Sequence, residues 1–500
     1  MTASASLAVF SLFSHTVSAN DNALMTHTAE LTEACYLEGL SEQLQCGSLS
    51  VPENPQQPDG KQIDVHFAIL PAIKNAFPQE ALLAIAGGPG QSAIDNAAGF
   101  DRMLTKVRQQ RDILLIDQRG TGKSNILSCD DGSMASLSFN DEDTNVGQMT
   151  QECLDTIAEE NPSDIHQYNS VTALADFEAV RQHLGYSKLH LYGISYGSRM
   201  AQLYVRHYPE ALATVTLDGI VPMQQSVLAI GGAIERAFNI LFNECAGTPA
   251  CNEAYPNLQT HYQKVDQALA LNPVSQSVRD PLTNAPETLL LTRSKYNGAI
   301  RMGLYTPNIR ALLPHAIYEA AQGNYQAILG IYALTTTSTE LALGMHASVV
   351  CSEDIHRVTA QMRKDAKESY LSGTMLEGLE KTCDVWQMPR MDDSFSQAIS
   401  SDLPMLLLSG EVDPATPPNW GAMAMEGLTN AKHFIAPYAT HGVAYQSCGN
   451  DLIAELVATG SVENIDGECL NKDVRRSFYL NANSVESINT MPATTSEDKE

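Results

Sequence analysis

LHLYGISYGS, residues 189–198, decides how the rest of the chain is read. An apolar run ends in Gly193-Ile194-Ser195-Tyr196-Gly197, and SRMAQLYVRHYPE follows with the spacing of an amphipathic helix. A serine between two glycines, after a strand and before a helix, is the setting of a nucleophile elbow. There a sharp turn lifts the side chain above the strand's carboxyl end. Glycine flanks the serine because such a turn leaves no room for a Cβ. A hydroxyl is a weak nucleophile until a base removes its proton. The chain must therefore also supply a histidine, an acid to orient it, and N–H donors for the oxyanion.

Working outward, apolar and β-branched runs recur: IDVHFAIL (63–70), ALLAIA (81–86), DILLID (112–117), KLHLYGI (188–194), ATVTLDG (213–219), PMLLLSG (404–410) and the shorter KHFIA (432–436). Near-continuous apolarity is expected of strands buried on both faces of a parallel sheet. Between them SVTALADFEAVRQHLGY carries Leu174, Phe177, Val180 and Leu184 on one helical stripe, and Gly185 is its stop. Strand alternating with helix predicts the α/β class with a mostly parallel central sheet. The alternation breaks over 222–402, where AIERAFNILFNEC, QTHYQKVDQALAL and NIRALLPHAIYEAAQ read as amphipathic helices. This stretch is expected to be an inserted, mainly helical cap. The core then runs over 20–221 and 403–483, with a flexible polar tail at 484–500.

The remaining chemistry is sought in the order serine, acid, histidine. Asp413 lies just past PMLLLSG in EVDPATPP, and His441 lies in the loop THG. Glu411 competes as the acid but sits nearer the strand, and His433 falls within a strand and reads as structural. One oxyanion donor is expected from the backbone of Tyr196, which follows the serine. The other is expected from Gly88 in GGPG, the loop after ALLAIA. The stretch GTGKS resembles a nucleotide loop, but that loop needs glycine where this chain has Asp117. Asp117 and Arg119 are expected to brace the loops beneath the site instead.

With 58 Asp and Glu against 30 Lys and Arg, the net charge is −28. Such a chain repels nucleic-acid phosphate and anionic lipid, so neither is an expected partner. Residues 1–19 combine a short apolar segment with Val17-Ser18-Ala19, the pattern of a signal peptide without the usual basic start. No other stretch has the apolar length to span a bilayer, so stable membrane insertion is not expected. The ten cysteines fit an oxidising compartment, secreted or periplasmic. Neighbour pairing (35 with 46, 129 with 153, 245 with 251, 351 with 383, 448 with 469) closes the shortest loops and is the expected connectivity. No C-x-x-C occurs, and no metal or cofactor is expected. Composition assigns no oligomeric state.

Taken in order, GGPGQS, DQRGTGKS, GISYGS, DPATPP and THG resemble the α/β-hydrolase serine peptidases related to proline iminopeptidase, above all the secreted tripeptidyl-aminopeptidase-like branch. NECAGTPACNEAYP and VVCSEDI extend the likeness, which covers most of residues 30–470. The resemblance implies an α/β-hydrolase fold with Ser195, Asp413 and His441 as the triad, and Gly88 and Tyr196 as oxyanion donors. Ala86 departs from it, standing where the iminopeptidases carry histidine. The implied activity is a serine aminopeptidase acting on peptides with a free N-terminus; the alternative is a carboxylesterase with the same triad. An aminopeptidase needs carboxylates to hold the substrate's amine, and Glu353 and Asp354 are the candidates.

Overall fold

Side chains alternate across a strand, so a run that is apolar at every position must be covered on both faces. The computed structural model shows this arrangement. It describes residues 30–129, 138, 140–279, 284–336, 341–369 and 373–487. The expected signal peptide, 1–19, lies outside them, as do residues 488–500 of the expected tail. A nine-stranded sheet has the order β1-β2-β3-β5-β4-β6-β7-β10-β11. Its members are β1 (Glu33–Cys35), β2 (Leu44–Pro52), β3 (Gln62–Leu70), β4 (Glu80–Ile85), β5 (Asp112–Ile116), β6 (Lys188–Ile194), β7 (Leu212–Asp218), β10 (Met405–Gly410) and β11 (Ala431–Ala436). The pairs from β5 through β11 are parallel, and β1, β2 and β3 add an antiparallel edge. The sheet is therefore the mostly parallel α/β arrangement expected.

Alternate residues of one strand feed two cores. Leu83, Leu114 and Leu407 face α2 (Ser170–Leu184) and α3 (Tyr196–His207), where Leu174, Phe177, Met200 and Leu203 are buried. Leu82, Leu115 and Leu406 face α1 (Ala97–Arg108) and a helix at Gly449–Thr459, through Phe100, Leu104, Ile453 and Leu456. Each such side chain contributes about 1.5–3 kcal/mol on burial. Helix α2 begins where the Asn169 side chain accepts from Thr172 N–H and ends at Gly185, whose φ of +79° suits glycine. The winding direction reverses between β4 and β6, and at such a switch point the carboxyl ends of the strands open a crevice.

Residues 222–402, the stretch expected as the cap, contribute to more than one core. Ile234, Phe238, Tyr262, Tyr296, Ile317 and Ile331 form a separate core, joined by Phe478 from the far end of the chain. A ribbon of β8 (Val274–Arg279) and β9 (Pro286–Leu291) lies within this stretch. Met345, Val349, Trp386, Phe395 and Ile399 instead pack into the main core, so the independently packed part is shorter. The expected tail also begins too early. Ser484–Val485 (β13) pairs with Tyr479–Asn481 (β12), and Glu486 is buried against Arg475 and Phe478 N–H. All five cysteine pairs join neighbours in sequence, as expected. Among the described residues no helix is long and apolar enough to cross a membrane.

Arg119 is fully buried, and its guanidinium bonds both Asp176 oxygens, at 2.7 and 2.8 Å, and the Glu53 carbonyl. Among the described residues Asp176 is the one negative charge bonded to Arg119, and Asp176→Asn, which removes it, should cost about 3–5 kcal/mol. Urea denaturation followed by fluorescence checks this against Asp164→Asn, an exposed site where the midpoint should stay put.

Candidate active site

Strand β6 ends at Ile194 and helix α3 starts at Tyr196, leaving Ser195 to turn the chain at φ +56° and ψ −125°. Non-glycine residues rarely hold a positive φ, and doing so costs on the order of 1–3 kcal/mol. The flanking glycines show why the turn closes. A Cβ on Gly193 would lie 2.3 Å from the Gly197 carbonyl oxygen, and one on Gly197 would lie 2.3 Å from that of Ile85. The serine is pinned from two sides: its N–H donates to the Asp218 carbonyl at 2.9 Å, and its carbonyl accepts from Ser198 Oγ at 2.6 Å.

Past the end of β10, Asp413 is wholly buried. Its Oδ1 accepts from the N–H groups of Ala415 and Thr416, and its Oδ2 from Thr416 Oγ1. His441, past β11, turns Nδ1 to Asp413 Oδ2 at 2.9 Å. The imidazole thus has its Nδ1 edge engaged, and among the described residues no hydrogen bond occupies Nε2. Burial works to push His441 down, but the charge and hydrogen bond of Asp413, with the charge of Asp218 behind them, outweigh it and hold the imidazole above its usual range. Burial likewise pushes Asp413 up, and the His441 charge and the hydrogen bonds hold it below the usual carboxylate range.

The histidine and the serine flank one peptide unit. Ser195 N–H bonds the carbonyl of Asp218, and a Cβ on the next residue, Gly219, would lie 3.0 Å from His441 Cε1. From the other side, a Cβ on Gly442 would lie 2.9 Å from Ile194 Cδ1. No hydrogen bond joins Ser195 to His441 among the described residues; in free hydrolases that contact commonly tightens only with substrate bound. Tyr305 sets its ring edge-on to the imidazole at 5.3 Å.

The GGPG loop closes the other side of the serine. A Cβ on Gly87 would lie 3.1 Å from Ser195 Cβ, and Gly88 holds φ +104°. The Tyr196 N–H belongs to the first turn of α3, where no intrahelical acceptor exists. Behind the loop Asp117 accepts from Ser92 Oγ, Ile94 N–H and Lys123 N–H. Burial first, against these bonds, pushes its carboxyl up to about 6. A Cβ on Gly122 would lie 2.0 Å from Asp117 Oδ2, so GTGKS wraps the protein's own carboxylate rather than a phosphate.

Glu353 and Asp354 are not placed to meet a substrate amine. Both are wholly buried. Asp354 bonds Arg199 through both oxygens and also accepts from Val227 N–H. Glu353 accepts from the N–H and Oγ of Ser170, and Ser170 Oγ lies 2.6 Å from the Tyr196 hydroxyl. Burial, only partly offset by Arg199, pushes Glu353 up to about 7. These acids support the elbow helix from beneath, a role that surface-style counting of acids misses. Glu411 pairs with Arg236 and His433 with Ser409 Oγ, which removes both from competition for the site. Sequence reasoning also missed Asp218, which takes the N–H groups of Val443 and Ala444 and the Tyr192 hydroxyl, and so holds the His441 loop. Its signal was present: a carboxylate ending an otherwise apolar strand, before glycine.

The α/β-hydrolase-fold family matches residues 80–308, and the TAP-like protein family matches residues 368–469. The first match contains GGPG and the elbow; the second contains Asp413 and His441. The chain is 22% identical to the serine protease Hip1 of Mycobacterium tuberculosis (strain H37Rv), over 85% of this chain and 87% of that one. It is 21% identical to the tripeptidyl aminopeptidase of Streptomyces coelicolor, over 86% of this chain and 84% of that one. Carboxylesterase B of M. tuberculosis (strain H37Rv) is 28% identical over 41% of this chain and 42% of its own.

The balance at His441 can be measured without substrate. In Asp413→Asn the charge that raises the imidazole most is lost while burial remains, so the His441 pKa should fall from its value in the parent. NMR titration of histidine Cε1–H signals, assigned with His441→Gln, reads the direction.

Proposed function

Because the chain is an α/β hydrolase related to serine proteases and aminopeptidases, we propose that it is an exported serine aminopeptidase that cuts peptides near their free N-terminus. The observation that carries this reading is the His441–Asp413 bond of 2.9 Å beside the turn that presents Ser195. In this reading His441 Nε2 takes the Ser195 proton as Oγ attacks the peptide carbonyl. Asp413 fixes the tautomer that leaves Nε2 free and stabilises the imidazolium that forms. The N–H groups of Gly88 and Tyr196 receive the oxyanion. His441 then protonates the departing amine, the acyl group stays on Ser195, and water taken through the same imidazole releases it.

The packed helical core between Ile234 and Ile331 acts as the cap, reaching the site where Thr440 Oγ1 bonds the Tyr305 carbonyl. Five disulfides favour the periplasm or the exterior as its compartment. The likeness to carboxylesterase B supports a second reading, hydrolysis of small acyl esters by the same three residues.

Chromogenic peptide amides with free and with acetylated N-termini, run beside a short-chain ester, separate the readings. Faster turnover of the free-amine amides supports the aminopeptidase, and turnover of the ester alone supports the esterase. Ser195→Ala should lower kcat on the order of 10⁴-fold or more. Asp413→Asn should lower it about 10⁴-fold. Parent activity no higher than that of Ser195→Ala would refute both readings.

A further inference from the structure

Helix Pro307–Ala321 begins beside the His441 loop, and its first turn is open. Its N-cap, Thr306, makes no side-chain cap bond. The dipole of the helix and its free N–H groups make that end attractive to anions. A second, independent feature points the same way. Arg310, in the same first turns, is 5% exposed and gives Nη1 to Glu244 at 2.8 Å, yet its Nε and Nη2 have no hydrogen-bond partner among the described residues. A buried guanidinium edge left unpaired is costly, and that edge is the fork that grips carboxylate or phosphate.

Arg310 lines a small cavity that shares Pro307, Tyr438 and Arg476 with a larger cleft of about 190 Å³. Lys472 and Arg476 line the cleft, and neither forms an ion pair among the described residues. Arg475 also faces the small cavity but is paired with Glu486. The acids that face this region are Glu244, already on Arg310, Glu486, already on Arg475, and Asp473, in the cleft. In a chain of net charge −28, a cleft where cations outnumber acids stands out. Its wall includes Gln446, whose Nε2 donates to the His441 carbonyl at 2.7 Å and whose Oε1 accepts from Thr440 N–H.

We propose that this cleft is a binding site for a small oxyanion, a carboxylate or a phosphate, held by Arg476, Lys472, the unpaired edge of Arg310 and the open turn of helix Pro307–Ala321. The carboxyl end of a peptide and free phosphate share this chemistry. The site stands apart from the reading of Ser195, and its test needs no turnover.

The full chain is titrated calorimetrically with inorganic phosphate, with an N-acetylated peptide bearing a free carboxyl terminus, and with the same peptide as its amide. Saturable binding of phosphate, or of the acid but not the amide, supports the site and names its source. Either affinity should fall roughly tenfold in Arg476→Ala, the equivalent of one charge-assisted hydrogen bond. Arg476 is exposed, so this variant should fold; Arg310→Met serves as the second variant, with circular dichroism as its folding control. No saturable binding by any probe, equal binding of acid and amide without phosphate binding, or parent affinity in Arg476→Ala overturns the proposal.

Discussion

The backbone at Ser195 is the constraint around which the centre of the molecule is arranged. A serine at φ +56° holds there only because strand and helix come together with no Cβ between them, at Gly193, Gly197 and the Ile85 carbonyl. That contact locks β4, β6 and α3 at the point where the sheet reverses its winding. The loop after β4 must then pass beside the serine, and it does so with glycine at 87, 88 and 90. The cost of the turn is met by burial on both faces of the sheet, where every strand residue from Ile113 to Leu115 and from Met405 to Leu408 is fully covered.

Buried charge is the second theme, and it is arranged around the loops rather than spread through the core. Asp218 spends its carboxylate on Val443, Ala444 and Tyr192, and so ties the histidine loop to the strand beside the elbow. Asp117 does the same for the loop after β4. Arg199 with Asp354 anchors α3, and Ser170 with Glu353 anchors α2, to the C-terminal end of the helix Leu343–Glu353 that follows the separate helical core. Each carboxylate is met by N–H, O–H or guanidinium donors, which is the condition for burying it. A chain so rich in acids can therefore keep some of them inside without leaving them unpaired.

How far the sequence could be read follows from what leaves a local trace. The parallel strands were legible because they are apolar at every position, and the turn at Ser195 because glycine, serine and the change of period coincide. GTGKS was separable from a nucleotide loop by the single residue Asp117. The edge strands Glu33–Cys35 and Leu44–Pro52 were not seen, since polar residues on their open side break the apolar run. Glu353 and Asp354 were read as substrate ligands because burial of an acid is a tertiary property; their partners lie at Ser170, Arg199 and Val227, far off in sequence. Which helices of 222–402 join the main core and which pack on one another is likewise a tertiary property. Helices that pack on the main sheet and helices that pack on each other have the same local pattern.

The central claim is that His441 makes the Ser195 hydroxyl a nucleophile. A fluorophosphonate reports this directly, because attack by an activated Oγ displaces fluoride and leaves a stable phosphonate ester. Peptide mass spectrometry should place one phosphonate per chain on Ser195, with labelling slowed on the order of 10³-fold or more in His441→Ala. An unlabelled Ser195, or labelling at the parent rate in His441→Ala, would contradict the account.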